Sequence, residues 1–151
     1  MTSSSAPQKI GEFPIIKLPQ KKAAQLNLAI SIPPMYLSVE KFEYDPQFKA
    51  VFYTIEVGIQ KDSMVCVHTI SKRYSALQEF DSQIRPKFSE SRYLHQFPPK
   101  KLFGNTENEF LEKRSEELQN YLGNLVRVAG LCETQVFRRF FGIDDSVIKS
   151  F

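Results

Sequence analysis

The sequence predicts an α+β fold, in which three antiparallel strands come first and a group of helices follows. Apolar residues alternate with polar or small residues in three segments of the first half of the chain, the period-2 pattern of half-buried strands. In the second half, apolar residues recur every three or four positions, which is helical spacing. The chain has 151 residues, the usual size of one domain. The strands come first along the chain and the helices follow, which is an α+β arrangement.

Three strands are predicted in sequence order. Leucine and isoleucine alternate with Asn, Ala and Ser over Leu26–Ile32, and the two prolines that follow end this first strand. Val51–Ile59 alternates more strongly, and Met64–Lys72 forms the third strand. The Lys-Asp-Ser sequence between these last two is a turn, so they form a hairpin. Three strands in this order favour an antiparallel meander.

A helix is predicted directly after the third strand, because four apolar residues lie three or four positions apart: Tyr74, Leu77, Phe80 and Ile84. Pro86 ends this helix, since a proline cannot continue a helix interior. Residues 87–105 then form a long connection with a Phe-Pro-Pro segment. Connections of this length are uncommon in compact domains and are often functional.

Two further helices are predicted after the connection. The longer one begins near Glu107, with Asn105 or Thr106 as its cap, and runs to about Val128. The last one, Glu133–Phe141, is short and is closed by the glycine that follows it.

Composition and charge exclude several classes of protein. The net charge of +3 is too weak to imply nucleic acid as a partner, which leaves a nucleic-acid binder as a distant third possibility, but it is compatible with an anionic membrane surface. No segment approaches the roughly 20 apolar residues of a membrane-spanning helix. The two cysteines indicate neither a disulfide scaffold nor a metal site. We therefore expect a cytoplasmic domain over residues 25–145, with a flexible tail at 1–24 and a short tail at 146–151.

Catalytic machinery is not evident. His68 and His95 are more typical of structural or solvated histidines, and the Asp144-Asp145 pair is most simply solvated. The six glycines are scattered, so there is no glycine-rich phosphate loop. We predict that the chain is not an enzyme and needs neither a cofactor nor a metal.

One arginine lies among the apolar residues of the long predicted helix. Arg114 falls within the stripe formed by Phe110, Leu118, Tyr121 and Leu125. A buried guanidinium is costly unless an anion meets it. Arg114 therefore pairs with a buried carboxylate, lies at the edge of the stripe with its charge in water, or binds an anionic ligand.

Two more basic segments lie at predicted junctions. Arg73 precedes Tyr74 where the third strand meets the first helix, and an arginine can present a bidentate fork to a phosphate. In the loop, Lys100 and Lys101 stand beside Leu102 and Phe103. These two apolar residues either fold back onto the core or form a membrane wedge flanked by cations.

Taken in order, Arg-Tyr after the third strand, Pro-Pro-Lys in the loop and an arginine inside a long helix resemble the PX (phox homology) domain, including those of sorting nexins. The resemblance covers residues 25–145. It implies a three-stranded antiparallel sheet packed on a helical subdomain of three to four helices, with a basic pocket between them. It also implies a membrane-targeting module that recognises phosphatidylinositol 3-phosphate on endosomal or vacuolar membranes, in sorting or trafficking.

The resemblance assigns a role to each headgroup residue. Arg73 would hold the 3-phosphate, and Tyr74 would lie against the inositol ring. Lys100 would contact the 1-phosphate, with Lys101 as the alternative. Arg114 would bind the 4- and 5-hydroxyls of the ring, which gives this arginine a ligand as its partner.

The remaining expectations concern the membrane, regulation and protein partners. Leu102 and Phe103 match the family's membrane-inserting loop. Ser75 is a candidate phosphorylation site, because a phosphate there would bring about −1.5 to −2 charges close to the phosphate of the lipid. As an isolated domain it would be a monomer, and protein partners would be those of a larger host protein. The alternative function is a PX domain that mainly binds proteins, through the long helix or the proline loop, with weak or broad lipid binding.

Overall fold

The structure, a computed structural model, describes residues 34–61, 63–101 and 107–143. Three strands form one antiparallel sheet in the order β1-β2-β3, and their bounds are Met35–Asp45 (β1), Ala50–Lys61 (β2) and Met64–Arg73 (β3). The helical elements are Tyr74–Phe88 (α1), Asn108–Leu125 (α2), the 3-10 turn Leu131–Glu133 and Gln135–Phe140 (α3). The predicted α+β fold with an antiparallel meander is confirmed.

The first strand of the sheet is not the one that the sequence pattern indicated. The predicted strand Leu26–Ile32 lies outside the described residues, whereas β1 begins at Met35, immediately after the two prolines. The pattern missed β1 because a β-bulge interrupts its alternation. Val39 pairs with Ile55, but Lys41 already pairs with Thr54, so the apolar residues change phase along the strand.

One face of the sheet forms half of the hydrophobic core. The alternating residues of β2 that face the helices are almost fully buried: Tyr53, Ile55, Val57 and Ile59. The helices complete the core with side chains that include Leu77, Phe80, Leu118, Leu122 and Phe137. The alternation of β2 therefore predicted its buried face correctly.

A glutamine side chain fixes α2 to the edge of the sheet. The backbone N–H of Val39 donates to the Gln119 side-chain oxygen at 2.7 Å. The Gln119 amide nitrogen in turn donates to the Leu37 carbonyl oxygen at 3.1 Å. Gln119 thus continues the hydrogen-bonding pattern of a strand, and it sets the position of α2 and of Arg114 within α2.

Several helix ends differ from those predicted. Pro86 does not end α1, which continues to Phe88. A proline so near the C-terminus forfeits only one N–H bond, that to the Ser82 carbonyl, so a further two residues remain helical. Glu107 is the N-cap of α2, while the predicted caps Asn105 and Thr106 lie outside the described residues. α2 ends at Leu125, three residues before the predicted end.

The last helix is shorter than predicted. The Glu133 end of the predicted helix forms the 3-10 turn, and α3 starts only after Thr134. The Thr134 hydroxyl accepts a hydrogen bond from the Phe137 backbone N–H at 3.2 Å, which caps α3. Gly142 follows with a φ of 70°, the left-handed conformation typical of a glycine that closes a helix.

Candidate functional site

A cleft of about 510 Å³ opens between α1 and the loop that leads to α2. Six residues on one side of α1 form one wall: Tyr74, Ser75, Gln78, Glu79, Asp81 and Ser82. Four consecutive loop residues form the other: Phe97, Pro98, Pro99 and Lys100. The fold therefore brings together the start of α1 and the Pro-Pro-Lys segment. Tyr74 and Pro98, one from each segment, form a hydrogen bond although they are 24 positions apart in the sequence.

Tyr74 joins the two walls of the cleft. Its hydroxyl donates to the Pro98 carbonyl oxygen at 2.6 Å, and its ring centroid lies 5.3 Å from that of Phe97. Burial raises the pKa of Tyr74, and the neighbouring Arg114 guanidinium partly opposes this shift. The phenol is therefore protonated at neutral pH and acts as a hydrogen-bond donor.

Arg114 is buried, with 6% of its surface exposed. Its guanidinium donates to the Pro99 carbonyl oxygen at 3.0 Å and lies 3.8 Å from the Tyr74 ring centroid and 4.4 Å from that of Phe110. Among the described residues, no carboxylate lies within ion-pair distance of it. A carbonyl and two aromatic rings stabilise the cation, but they do not neutralise its charge.

The hydroxyl of Tyr53 lies buried beside this guanidinium. It has no hydrogen-bond partner of ordinary geometry within the described part of the chain. Burial raises the pKa of Tyr53, and Arg114 lowers it to a smaller extent. The Arg114 end of the site thus combines an unneutralised charge with a buried hydroxyl whose electrostatic neighbour is the same guanidinium.

Arg73 lies next to the cleft but does not line it. It is the last residue of β3 and occupies the N-cap position of α1, with an exposed side chain. In the sheet it is paired with Phe52. Its neighbour Tyr74 lines the cleft, so Arg73 adjoins the lining in sequence without being part of it.

The structure separates the two loop lysines. Lys100 is exposed and lines the cleft. The Lys101 ammonium lies 3.8 Å from a Glu107 carboxylate oxygen and 4.5 Å from the Phe110 ring centroid, so it is engaged with the start of α2. Ser75 is exposed and lines the cleft. Leu102 and Phe103 lie outside the described residues.

A buried carboxylate that the sequence analysis missed, Asp81, positions the arginine that binds the loop. Asp81 is 8% exposed; it accepts a hydrogen bond from the Tyr121 hydroxyl at 2.6 Å and two from Arg85, at 2.7 and 3.0 Å. The same Arg85 also donates to the His95 carbonyl oxygen at 2.7 Å. Burial, followed by the bond to Asp81, raises the pKa of Tyr121, so this phenol remains a donor. One signal was available, because Asp81 lies four residues after Leu77 and thus within the apolar stripe of α1.

Three carbonyl oxygens of the loop therefore accept hydrogen bonds from helix side chains. Arg85 binds that of His95, Tyr74 binds that of Pro98, and Arg114 binds that of Pro99. The loop has no secondary structure of its own between Leu94 and Lys101. These side chains take the place of a regular backbone hydrogen-bonding pattern and hold the loop against α1 and α2.

The described residues hold no cluster of three or more His, Cys, Asp or Glu side chains that could bind a metal ion.

The ring nitrogen of His68 lies 2.8 Å from the Phe141 carbonyl oxygen, in a contact between β3 and the end of α3. In the part of the chain that the structure describes, no helix combines the length and the apolar character needed to cross a bilayer.

Comparison with known proteins assigns this chain and its fold to one family. Residues 63–144 match the sequence model of the PX domain. An X-ray structure of a designed CISK-PX domain is similar, with a TM-score of 0.58 and 22% identity over 70% of this chain and 96% of that one. The mouse SNX19 PX domain, crystallised with a bound sulphate ion, has a TM-score of 0.57 and 15% identity over 73% of this chain and 97% of that one.

The chain belongs to the PX-domain family, whose members are phosphoinositide-binding modules. It is also similar to the kinesin-like protein KIF16B, at 30% identity over 95 residues in the human protein and 31% over 101 residues in the mouse protein. These matches cover 63% and 67% of this chain but only 7% and 8% of the two kinesin-like proteins. The chain therefore spans less than a tenth of the length of these relatives.

Proposed function

We propose that this PX domain binds phosphatidylinositol 3-phosphate in the cleft between α1 and the loop, and thereby attaches its host protein to endosomal or vacuolar membranes. The observation that carries the proposal is the buried guanidinium of Arg114, which packs on Tyr74 with no carboxylate partner among the described residues. An uncompensated cation beside an open cleft favours an anionic or hydroxyl-rich ligand.

Each wall of the cleft contributes to the proposed binding. Lys100 contacts the 1-phosphate from the loop wall, and Tyr74 provides an apolar edge for the inositol ring from the α1 wall. Arg73 swings its exposed side chain to the 3-phosphate and binds it as a bidentate fork. Arg114 uses one donor for Pro99, and a guanidinium has five, so others remain for the ring hydroxyls.

Membrane attachment adds a second, apolar contribution to the headgroup contacts. Leu102 and Phe103 directly follow Lys100 and Lys101 in the sequence. We propose that these two residues insert between lipids while the lysines face the anionic surface. The domain then acts as a peripheral module in membrane sorting or trafficking.

A second candidate function is binding of a protein partner with only weak lipid recognition. Two observations favour it. Tyr74 and Arg114 already donate hydrogen bonds to loop carbonyls, and neither Arg73 nor Arg114 is among the described residues that line the cleft. A ligand has to compete for part of this arrangement, which reduces its net gain in free energy.

A liposome panel separates the two candidates. Liposomes of one background composition carry no phosphoinositide, the 3-phosphate lipid, the 4-phosphate lipid or the 5-phosphate lipid, and sedimentation measures the bound fraction. We expect the bound fraction to be highest with the 3-phosphate lipid and to exceed there the bound fraction on liposomes without phosphoinositide. Equal binding to all four preparations would contradict the proposal and favour the protein-binding candidate.

A further inference from the structure

Three helix side chains anchor the loop wall of the cleft through its carbonyl oxygens, and they differ in their relation to the proposed ligand. Two of these anchors, Tyr74 and Arg114, also have proposed contacts with the headgroup, so a bound ligand competes for their hydrogen bonds to the loop. The third anchor, Arg85, donates to the His95 carbonyl oxygen at 2.7 Å and has no proposed contact with the ligand. A ligand therefore leaves the Arg85 anchor intact.

The Arg85 guanidinium is oriented by the carboxylate of Asp81. Its Nε donates to Oδ2 of Asp81 at 3.0 Å, and its Nη2 donates to Oδ1 at 2.7 Å. The same Nη2 donates to the His95 carbonyl oxygen. Because the donors of a planar guanidinium have fixed directions, the two bonds to Asp81 also fix the direction in which Arg85 meets the loop.

Asp81 is itself held in place by α2. The Tyr121 hydroxyl donates to Oδ1 of Asp81 at 2.6 Å, and the carboxylate is almost fully buried. The ring of Tyr121 also packs on the ring of Phe97, with their centroids 5.1 Å apart, and Phe97 lines the loop wall. A connected network therefore runs from α2 through Asp81 and Arg85 on α1 to the loop.

We propose that Arg85 is a positioning residue for headgroup binding. It keeps the loop wall, which includes Lys100, in place across the cleft while the headgroup competes for the other two anchors. This inference rests on the proposed function of the cleft and adds to it a residue that acts without touching the ligand. Substitutions of such residues change affinity by about two- to thirtyfold, through the position of the groups that do touch it.

Arg85→Lys tests the position of the donors separately from their charge. Lysine keeps a positive charge beside Asp81, but an ammonium cannot reproduce the planar fork that bonds the carboxylate and the loop together. We expect the affinity of the full chain for inositol 1,3-bisphosphate, measured by calorimetric titration, to fall by about three- to tenfold. Arg92→Lys is the matched control, because Arg92 is exposed and bonds to the adjacent Tyr93; this variant should bind like the wild type.

Limited digestion with trypsin reports on the loop without any ligand. Lys100 and Lys101 are trypsin sites in the loop, and Lys113 is a site within α2. Residue 85 is cleaved with neither side chain, because Pro86 follows it. For Arg85→Lys we expect faster cleavage after Lys100 or Lys101 than in the wild type, since a loop that has lost an anchor opens more often. Cleavage after Lys113 should keep its wild-type rate.

Wild-type affinity in Arg85→Lys would overturn the positioning role, because the charge alone would then suffice. Equal acceleration of cleavage after Lys113 would also overturn it, since the substitution would then weaken the whole fold and not the loop. A wild-type chain that does not bind the headgroup would overturn the proposed function and the ligand part of this inference with it. The digest contains no ligand and still decides whether Arg85 holds the loop.

Discussion

The Arg114 guanidinium in α2 donates a hydrogen bond to the Pro99 carbonyl oxygen at 3.0 Å, so one buried side chain holds the loop wall of the cleft. The same group lies 3.8 Å from the ring centroid of Tyr74, on the other wall. Arg114 therefore contacts both walls. This double contact makes it necessary to separate a structural role from a ligand-binding role.

Replacing Arg114 by methionine separates these roles. The variant keeps apolar volume but removes the charge and the hydrogen bond to Pro99. Loss of the bond is offset by relief of the desolvation cost, so we expect the free energy of unfolding to change by less than about 1 kcal/mol. Headgroup affinity should fall by about tenfold or more, since a hydrogen bond from a charged donor is lost.

Urea unfolding and calorimetric titration with inositol 1,3-bisphosphate measure the two quantities for Arg114→Met. Arg92→Met is the control, because Arg92 is exposed and bonds only to the adjacent Tyr93 among the described residues. A destabilised Arg114→Met protein that still binds the headgroup like the wild type would assign Arg114 a structural role only.

The buried Asp81 gives a prediction about stability. Tyr121→Phe removes the hydroxyl that donates to this carboxylate at 2.6 Å and leaves the carboxylate with Arg85 alone. We expect a loss of about 1.5–3 kcal/mol in the free energy of unfolding, the usual worth of a buried hydrogen bond to a charged group. Tyr93→Phe is the control, as its hydroxyl bonds to an exposed arginine. Chemical denaturation that gives equal losses for both variants would show that the Asp81 network adds no stability.

The sequence predicted those elements in which the apolar residues recur with a single period along the whole element. The alternation of β2 and the helical spacing in α1 and α2 are regular, and the structure has these elements close to the predicted positions. β1 was missed because its bulge between Val39 and Lys41 changes the phase of the pattern. The end of α1 was misplaced because a proline in a last turn costs only one hydrogen bond.

The candidate site could be predicted only in part. Arg114 stood out because a charge within an apolar stripe conflicts with its surroundings. The Asp81–Arg85 pair did not, since an acid and an arginine four residues apart on a helix usually form a solvated surface pair. The anchoring of the loop through the carbonyls of His95, Pro98 and Pro99 has no signature in residue types, because every residue has a carbonyl group.

A prediction about the membrane concerns Leu102 and Phe103. If both insert, changing them together to serine should weaken binding to liposomes but leave the affinity for the soluble headgroup unchanged, because the soluble headgroup offers no hydrocarbon. Met64→Ser is the control: Met64 is 70% exposed and lies at the opposite end of β3 from Arg73. Equal losses in the two assays would instead mean that these residues shape the pocket.

Phosphorylation of Ser75 should switch membrane binding off. Ser75 lines the cleft beside Tyr74 and on the wall opposite Lys100. A phosphate there, with about −1.5 to −2 charges, repels the phosphate of the lipid and competes with it for Arg73. Chemically phosphorylated protein is titrated with liposomes that carry the 3-phosphate lipid, and Ser75→Ala serves as the uncharged control. An affinity within about twofold of the wild type, or roughly 0.4 kcal/mol, would exclude the switch.

The most direct test of lipid recognition is Arg73→Ala, measured by sedimentation with liposomes that contain phosphatidylinositol 3-phosphate. Arg73 is exposed, so the variant should unfold at the same urea concentration as the wild type, and the control Arg92→Ala should bind like the wild type. A lost bidentate contact with a phosphate is worth about 1.5–3 kcal/mol, so we expect at least a tenfold loss of binding. A folded Arg73→Ala protein that binds these liposomes as tightly as the wild type would contradict the assignment of phosphatidylinositol 3-phosphate to this site.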